Sequence, residues 1–263
     1  MRTKMLFAAA LMAALSSVAV AQDVRLPEAS LDREVNLPAP AQAAVSRNSP
    51  QQRLTPPRYC KPCLFYAGDF DENASDANGI ANEFDILVSG AATYTPFIVP
   101  QGKIWTVTGL FTNQAFFPDL PVLDPPMIPY EVRKGIPKNG GDGGTLVCHG
   151  RKLGTLTISQ IDQELYIYAT QVRNIKGCRL GAGKYWMTVI PYCTNPHDST
   201  CEANYRAFLM NDDGAMSHRF GPLEPANNAF FNAAFFGSVW EPTLDIQTSA
   251  RFSVGVEGTS AGR

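Results

Sequence analysis

Cysteines are the residues whose type and spacing most clearly carry chemistry. Cys60, Cys63, Cys148, Cys178, Cys193 and Cys201 form an even set, and in an exported chain an even set reads as disulfides. Sequence alone admits many pairings, but locality orders them. Cys193 and Cys201 flank a polar loop containing Asn195-Pro196, and closing so short a loop is entropically easy. Cys148 lies in a strand-like run and Cys178 just before a turn, so their bridge would staple two neighbouring strands. Cys60 and Cys63 remain for each other. The spacing Cys60-Lys61-Pro62-Cys63 also matches a redox dithiol. Such a dithiol usually stabilises its first thiolate at a helix N-terminus, whereas the residues that follow, Leu64 to Asp69, read as extended. Zinc would need two more ligands, and no second C-x-x-C or H-x₃-H is present.

The second chemical feature is an acidic loop, Asp69 to Gly79. Asp69, Asp71, Asn73 and Asp76 place several oxygen ligands close together, which suits Ca²⁺. The start resembles an EF-hand loop, but Ala74 and Ile80 stand where that loop needs Gly and Glu. A calcium site of another kind, with Glu83 or Asp85 added, is one reading. A solvated turn whose Asp and Asn side chains cap their own backbone is the other. His149, His197 and His218 are scattered. One G-x-S-x-G match, Gly258 to Gly262, lacks the helix that a nucleophile elbow requires, and it reads as part of a flexible tail, 259–263. No catalytic residue is assigned. Phe220, Phe230, Phe231, Phe235, Phe236 and Trp240 cluster with Asn227, Asn228 and Asn232. They read either as rings packed onto the domain or as an exposed rim for sugars or a partner, with Phe230, Phe231 and Trp240 as candidate binding residues.

The elements that must position these residues are strands. Residues 1–21 read as a secretory signal peptide: Arg2 and Lys4, an apolar run from Met5 to Leu15, then Ala19-Val20-Ala21 before the cut. The apolar run is too short for a comfortable membrane span. Residues 22–58 are rich in Pro, Ala and Gln and predict a disordered linker. From 59 to 258, runs such as Lys103–Thr112, Ile128–Lys134, Glu164–Val172, Lys184–Tyr192 and Ala250–Val256 alternate with turn signals. Thr145–Gly150 and Leu153–Ser159 predict two separate strands. Trp105 and Trp186 sit mid-strand among apolar residues and predict core anchors. Gly140, Gly141, Gly143 and Gly144 predict positive φ in a hairpin connection. The pattern predicts an all-β antiparallel sandwich, jelly-roll-like, in one domain. Charged residues are 17% and the net charge is −2, or −4 once Arg2 and Lys4 leave with the leader. With no basic run, nucleic acid is an unsuitable partner.

Several phrases in order carry a resemblance. They are Trp105-Thr106-Val107, Gly143-Gly144-Thr145-Leu146, Gly183-Lys184-Tyr185-Trp186-Met187-Thr188-Val189 and Gly255-Val256-Glu257-Gly258. Spanning residues 83 to 258, this order resembles a loose group of exported bacterial β-sandwich proteins. Asp142 departs from that pattern, which has Asn. The resemblance implies export and a sandwich, and it carries over no functional residue. The expected function is a secreted, non-catalytic module, structural or binding, for a surface glycan or partner protein outside the cytoplasm. A carboxylate-dependent polysaccharide hydrolase or lyase and a calcium-stabilised adhesion domain are the rival expectations.

Overall fold

A computed structural model of the chain describes residues 34–35, 56–69, 79–82, 91–117, 127–162, 165–191, 206–210, 219–222, 229–233, 239–246 and 252–262. The chain divides into two units, Met1–Asp32 and Arg33–Arg263, and every described residue lies in the second.

β-branched and aromatic residues dominate the long runs, and the described elements are strands apart from one short helix. In chain order they are β1 (Glu34–Val35), β2 (Cys63–Tyr66), β3 (Gly79–Ala81), β4 (Ala91–Val99), β5 (Lys103–Phe117), β6 (Met127–Lys134), β7 (Thr145–Asp162), β8 (Leu165–Arg173), β9 (Arg179–Leu180), β10 (Gly183–Val189), β11 (Arg206–Met210), β12 (Phe230–Ala233), β13 (Val239–Pro242), α1 (Thr243–Ile246) and β14 (Val254–Gly262). Hydrogen-bonded neighbours follow the order β1-β3-β11-β5-β8-β7-β6-β10-β4-β12-β13, with β14 on β5 and β2, and β9 on β5. The pairings are antiparallel, so the all-β antiparallel class agrees with the sequence reading.

The ladder is continuous because β7 belongs to both of its arms. Thr145–Leu153 pair with β6, and Gly154–Asp162 pair with β8. Sequence reading broke this strand in two at Arg151-Lys152, between the runs Thr145–Gly150 and Leu153–Ser159. Gly154, inside the second run, serves packing: a Cβ there would lie 2.1 Å from Ile128 Cδ1.

Side chains from both arms meet in one core. Phe97 of β4 is fully buried. Its ring stacks on Trp105 of β5 at 6.0 Å and on Tyr185 of β10 at 5.7 Å, and it reaches Phe65 of β2 at 6.1 Å. Val107, Leu110, Val132, Val172, Met187, Val189, Val254 and Val256 complete the same interior. Trp105 and Trp186 are core residues, 3% and 5% exposed. A smaller cluster of Tyr94, Ile136, Trp186 and Phe230 lies on the other side of β4 and β10, with Trp240 packed against it.

Two boundaries differ from the sequence reading. β14 continues to Gly262, pairing Thr259–Gly262 with Lys103–Thr106. These residues are therefore strand rather than flexible tail, because backbone hydrogen bonds to β5 hold them although their side chains are exposed. Within the expected linker, Glu34–Val35 pair with Gly79–Ile80. The Gly140–Gly144 connection between β6 and β7 has the expected positive φ, 81° at Gly140 and 76° at Gly143.

Because Phe97 touches rings from three other strands, Phe97→Ala is expected to lower unfolding stability by about 3–5 kcal/mol. Urea unfolding measures this, and a loss below about 1 kcal/mol contradicts a shared core.

Candidate functional site

The sequence-selected residues separate into three groups. Two cysteine pairs are bridged as locality suggested. Cys60–Cys63 closes the turn before β2, and Cys148–Cys178 ties β7 to the segment before β9. Cys193 and Cys201 lie outside the described residues. Of the calcium candidates, Asp69 is described, while Asp71, Asn73 and Asp76 are not. Among the described residues no group of three His, Cys, Asp or Glu gathers to hold a metal. Phe230 and Phe231 are 1% and 2% exposed in β12, the packed alternative rather than the rim: Phe230 lies in the cluster with Tyr94 and Trp186, and Phe231 on the opposite face in the main core.

Trp240 is half-buried in a seat made by the glycine-rich turn. A Cβ at Gly143 would lie 2.1 Å from Trp240 Cε2, and one at Gly140 would lie 2.1 Å from the Trp240 carbonyl oxygen. Any residue but glycine would strain the backbone and displace the indole. Arg133 lies over the same ring at 4.8 Å and over Tyr94 at 5.7 Å. Arg133 Nε donates to Glu131 Oε2 at 2.8 Å, and Tyr94 OH donates to the same oxygen at 2.9 Å. Burial, then the charge of Glu131, pushes the Tyr94 hydroxyl well above its ordinary range. The indole thus has close neighbours within the fold, which suits a keystone more than a sugar platform.

The richest polar cluster surrounds the turn that Cys60 and Cys63 close. Glu257, on β14, is only 2% exposed. Arg173 of β8 grips its carboxylate with two bonds, Nε to Oε2 and a terminal NH₂ to Oε1, both 3.1 Å. The backbone N–H of Lys61 donates to Oε1 at 2.8 Å. Such charge-assisted bonds are stronger than neutral ones. Gly109 makes room for this carboxylate, since a Cβ there would lie 2.3 Å from Glu257 Oε2. Arg173 also donates to the Tyr59 carbonyl at 2.9 Å. Residues 57 to 62 therefore form a strap laid over β14 and β8.

Beneath the strap runs a proton-ordered chain. Tyr66 OH donates to Asp69 Oδ1 at 2.8 Å, so its 3.0 Å contact with Tyr59 OH makes Tyr59 the donor there. Asn113 Nδ2 donates to Ser253 Oγ at 2.7 Å and to Tyr66 OH at 3.0 Å. Ser253 Oγ in turn donates to the Gly68 carbonyl. Asn113 Oδ1 is buried with no partner among the described residues. Burial, the largest influence, pushes Tyr59 up to about 12 and raises Tyr66 well above its ordinary value.

Sequence reading found the cysteines and Asp69 but missed Tyr59, Tyr66, Asn113, Arg173, Ser253 and Glu257. A signal was there for two of them: Asn113 and Glu257 interrupt strongly apolar strands, Glu257 with glycines nearby on both sides. Nothing local marks Arg173 or Ser253, whose roles depend on pairing across strands.

No protein-family model and no curated protein sequence matches the chain. Among the described residues no helix is long and apolar enough to cross a membrane.

The buried tyrosines set a pH limit. An unfolded tyrosine ionises near pH 10, whereas Tyr59 holds its proton to about 12. The stabilisation is complete below about pH 10 and is lost as pH rises towards and beyond the folded value. The urea midpoint is expected to fall across about pH 10 to 12, with tyrosinate absorbance from these two residues appearing only as the chain unfolds. In Tyr59→Phe/Tyr66→Phe the alkaline fall is expected to shrink. An equal fall in both proteins contradicts the assignment.

Proposed function

We propose that this chain is an exported, non-catalytic β-sandwich module that binds a partner protein outside the cytoplasm. Support for export comes from the leader-like residues 1–21 and the two bridges, since disulfides persist in oxidising compartments. The richest polar cluster and the Trp240 seat are both knitted into the scaffold, which suits a structural role.

The observation that carries the binding reading is the surface of β7. Among the described residues six large apolar side chains are exposed, and four of them lie on β7: Leu146 at 36%, Val147 at 39%, Leu153 at 66% and Ile158 at 47%. Along 145–153 β7 pairs, among the described residues, with β6, and along 154–162 with β8. Exposed aliphatic side chains along a strand favour a protein surface as ligand. A surface glycan is the less suitable partner, because sugars stack on aromatic rings, and Phe230 and Phe231 are buried.

The test is retention of the full chain on the envelope fraction of the producing cells. Retention is expected to disappear after protease treatment of the fraction. It is also expected to disappear in Leu153→Lys/Ile158→Lys, whose melting temperature stays at the wild-type value. Retention that survives protease but not glycan removal overturns the protein partner. Release of soluble sugar from the fraction overturns the non-catalytic reading.

A further inference from the structure

We propose that the Cys60–Cys63 bridge is a reversible thiol–disulfide exchange site for a small thiol, and that its state decides whether the strap of residues 57–62 is locked. The inference does not depend on the partner of β7.

The first support is asymmetric access. Cys60 is 1% exposed, whereas Cys63 is only half-buried. One sulfur is therefore open to attack and the other shielded. Cys148 and Cys178 are 8% and 2% exposed, so that bridge is shielded at both ends. Exchange rates follow the access of the attacked sulfur. The two bridges consequently differ in kind: one ties β7 to the segment before β9 beneath the surface, and the other closes a surface turn.

The second support is the surroundings of the sulfurs. Cys60 Sγ lies 4.0 Å from the Phe65 carbonyl oxygen and 3.9 Å from that of Val256, and Cys63 Sγ lies 3.6 Å from the Phe65 carbonyl oxygen. A disulfide has no S–H to offer these acceptors, but a dithiol has two. Each thiol of the reduced pair therefore has a carbonyl acceptor close by once the sulfurs part. Carbonyl oxygens also disfavour a thiolate, and the pair precedes a strand rather than opening a helix. The pair thus lacks the activated thiolate of a catalyst that acts on other proteins.

The third support is what the bridge holds. Lys61 N–H donates to Glu257, Gly258 N–H donates to the Pro62 carbonyl at 2.9 Å, and Arg173 reaches the Tyr59 carbonyl. Opening the bridge leaves these bonds as the strap's restraint, without the covalent closure that keeps Lys61 and Pro62 in register with β14.

The step balances. The thiolate of an incoming thiol attacks Cys63 Sγ, the Cys60–Cys63 bond breaks, and Cys60 leaves as a thiolate that takes up a proton. A second thiol attacks the incoming sulfur of the mixed disulfide and releases Cys63. Overall, one protein disulfide becomes two thiols while two small thiols become one disulfide.

The full chain, incubated in mixtures of reduced and oxidised glutathione, quenched in acid, alkylated and peptide-mapped, provides the test. Cys60–Cys63 is expected to open about tenfold or more faster than Cys148–Cys178, with the first adduct on Cys63, and to close again in oxidised glutathione. On opening, amide hydrogen exchange is expected to rise at Tyr59–Cys63 and to stay unchanged in β5 and β8. The Cys60→Ser/Cys63→Ser variant is expected to fold with the same β5 and β8 protection and the faster strap. Equal opening rates, a first adduct on Cys60, lost β5 protection or an unfolded variant each overturn the proposal.

Discussion

A carboxylate buried to 2% exposure must be paired, and the pairing of Glu257 organises the elements around it. Taking a charge out of water costs several kcal/mol unless hydrogen bonds and an opposite charge replace the solvent. Glu257 receives three such bonds, two from Arg173 and one from the Lys61 amide. These partners belong to β8 and to the strap, the carboxylate belongs to β14, and β5 yields the space through Gly109. Four parts of the chain distant in sequence are thereby held in one arrangement. The arginine is the outer half of the pair: its side chain is 51% exposed while that of Glu257 is 2%. Solvent screens the arginine end, so the stabilisation comes more from satisfying the buried carboxylate than from net attraction between charges.

This constraint explains why chemistry-bearing residues concentrate at the strap. The turn closed by Cys60 and Cys63 must present the Lys61 amide to Glu257, and the tyrosines beneath must place their hydroxyls among Asn113, Asp69 and Ser253. At the other cluster the same device recurs with different residues. Glycines make room for a bulky group, Trp240, and a cation–carboxylate pair, Arg133 with Glu131, fixes its position. In both places a missing side chain is what permits the contact, so Gly109 and Gly143 are as much part of the clusters as the residues that touch.

The strands that read clearly from sequence are those whose periodicity and turn residues agree. β5, β6 and β10 fall where β-branched and aromatic residues alternate, and the glycine turn before β7 has the expected positive φ. The Cys148–Cys178 pairing followed from the position of one cysteine in a strand and the other before a turn. Harder to read were features whose cause lies across the sheet. Gly154 shows no local sign of its role, which is to make room for Ile128 across the sheet. Thr259–Gly262 look like a tail, but backbone bonds to β5 make them strand. Phe230 and Phe231 admit a packed reading or a rim, and only their burial on the two faces of β12 decides for the packed one. Glu257 looks like an exposed acid in a terminal motif. Only the registers of β14 with β5 and of β5 with β8 place it under Arg173.

A double-mutant cycle on Glu257→Gln and Arg173→Gln, read by urea unfolding, tests this account most directly. Charge-assisted bonds to a buried group predict a coupling of about 1.5–3 kcal/mol between the two sites. Additive losses, with a coupling below about 0.5 kcal/mol, would show that the pair behaves as a solvent-exposed one and that the carboxylate does not organise the strands around it.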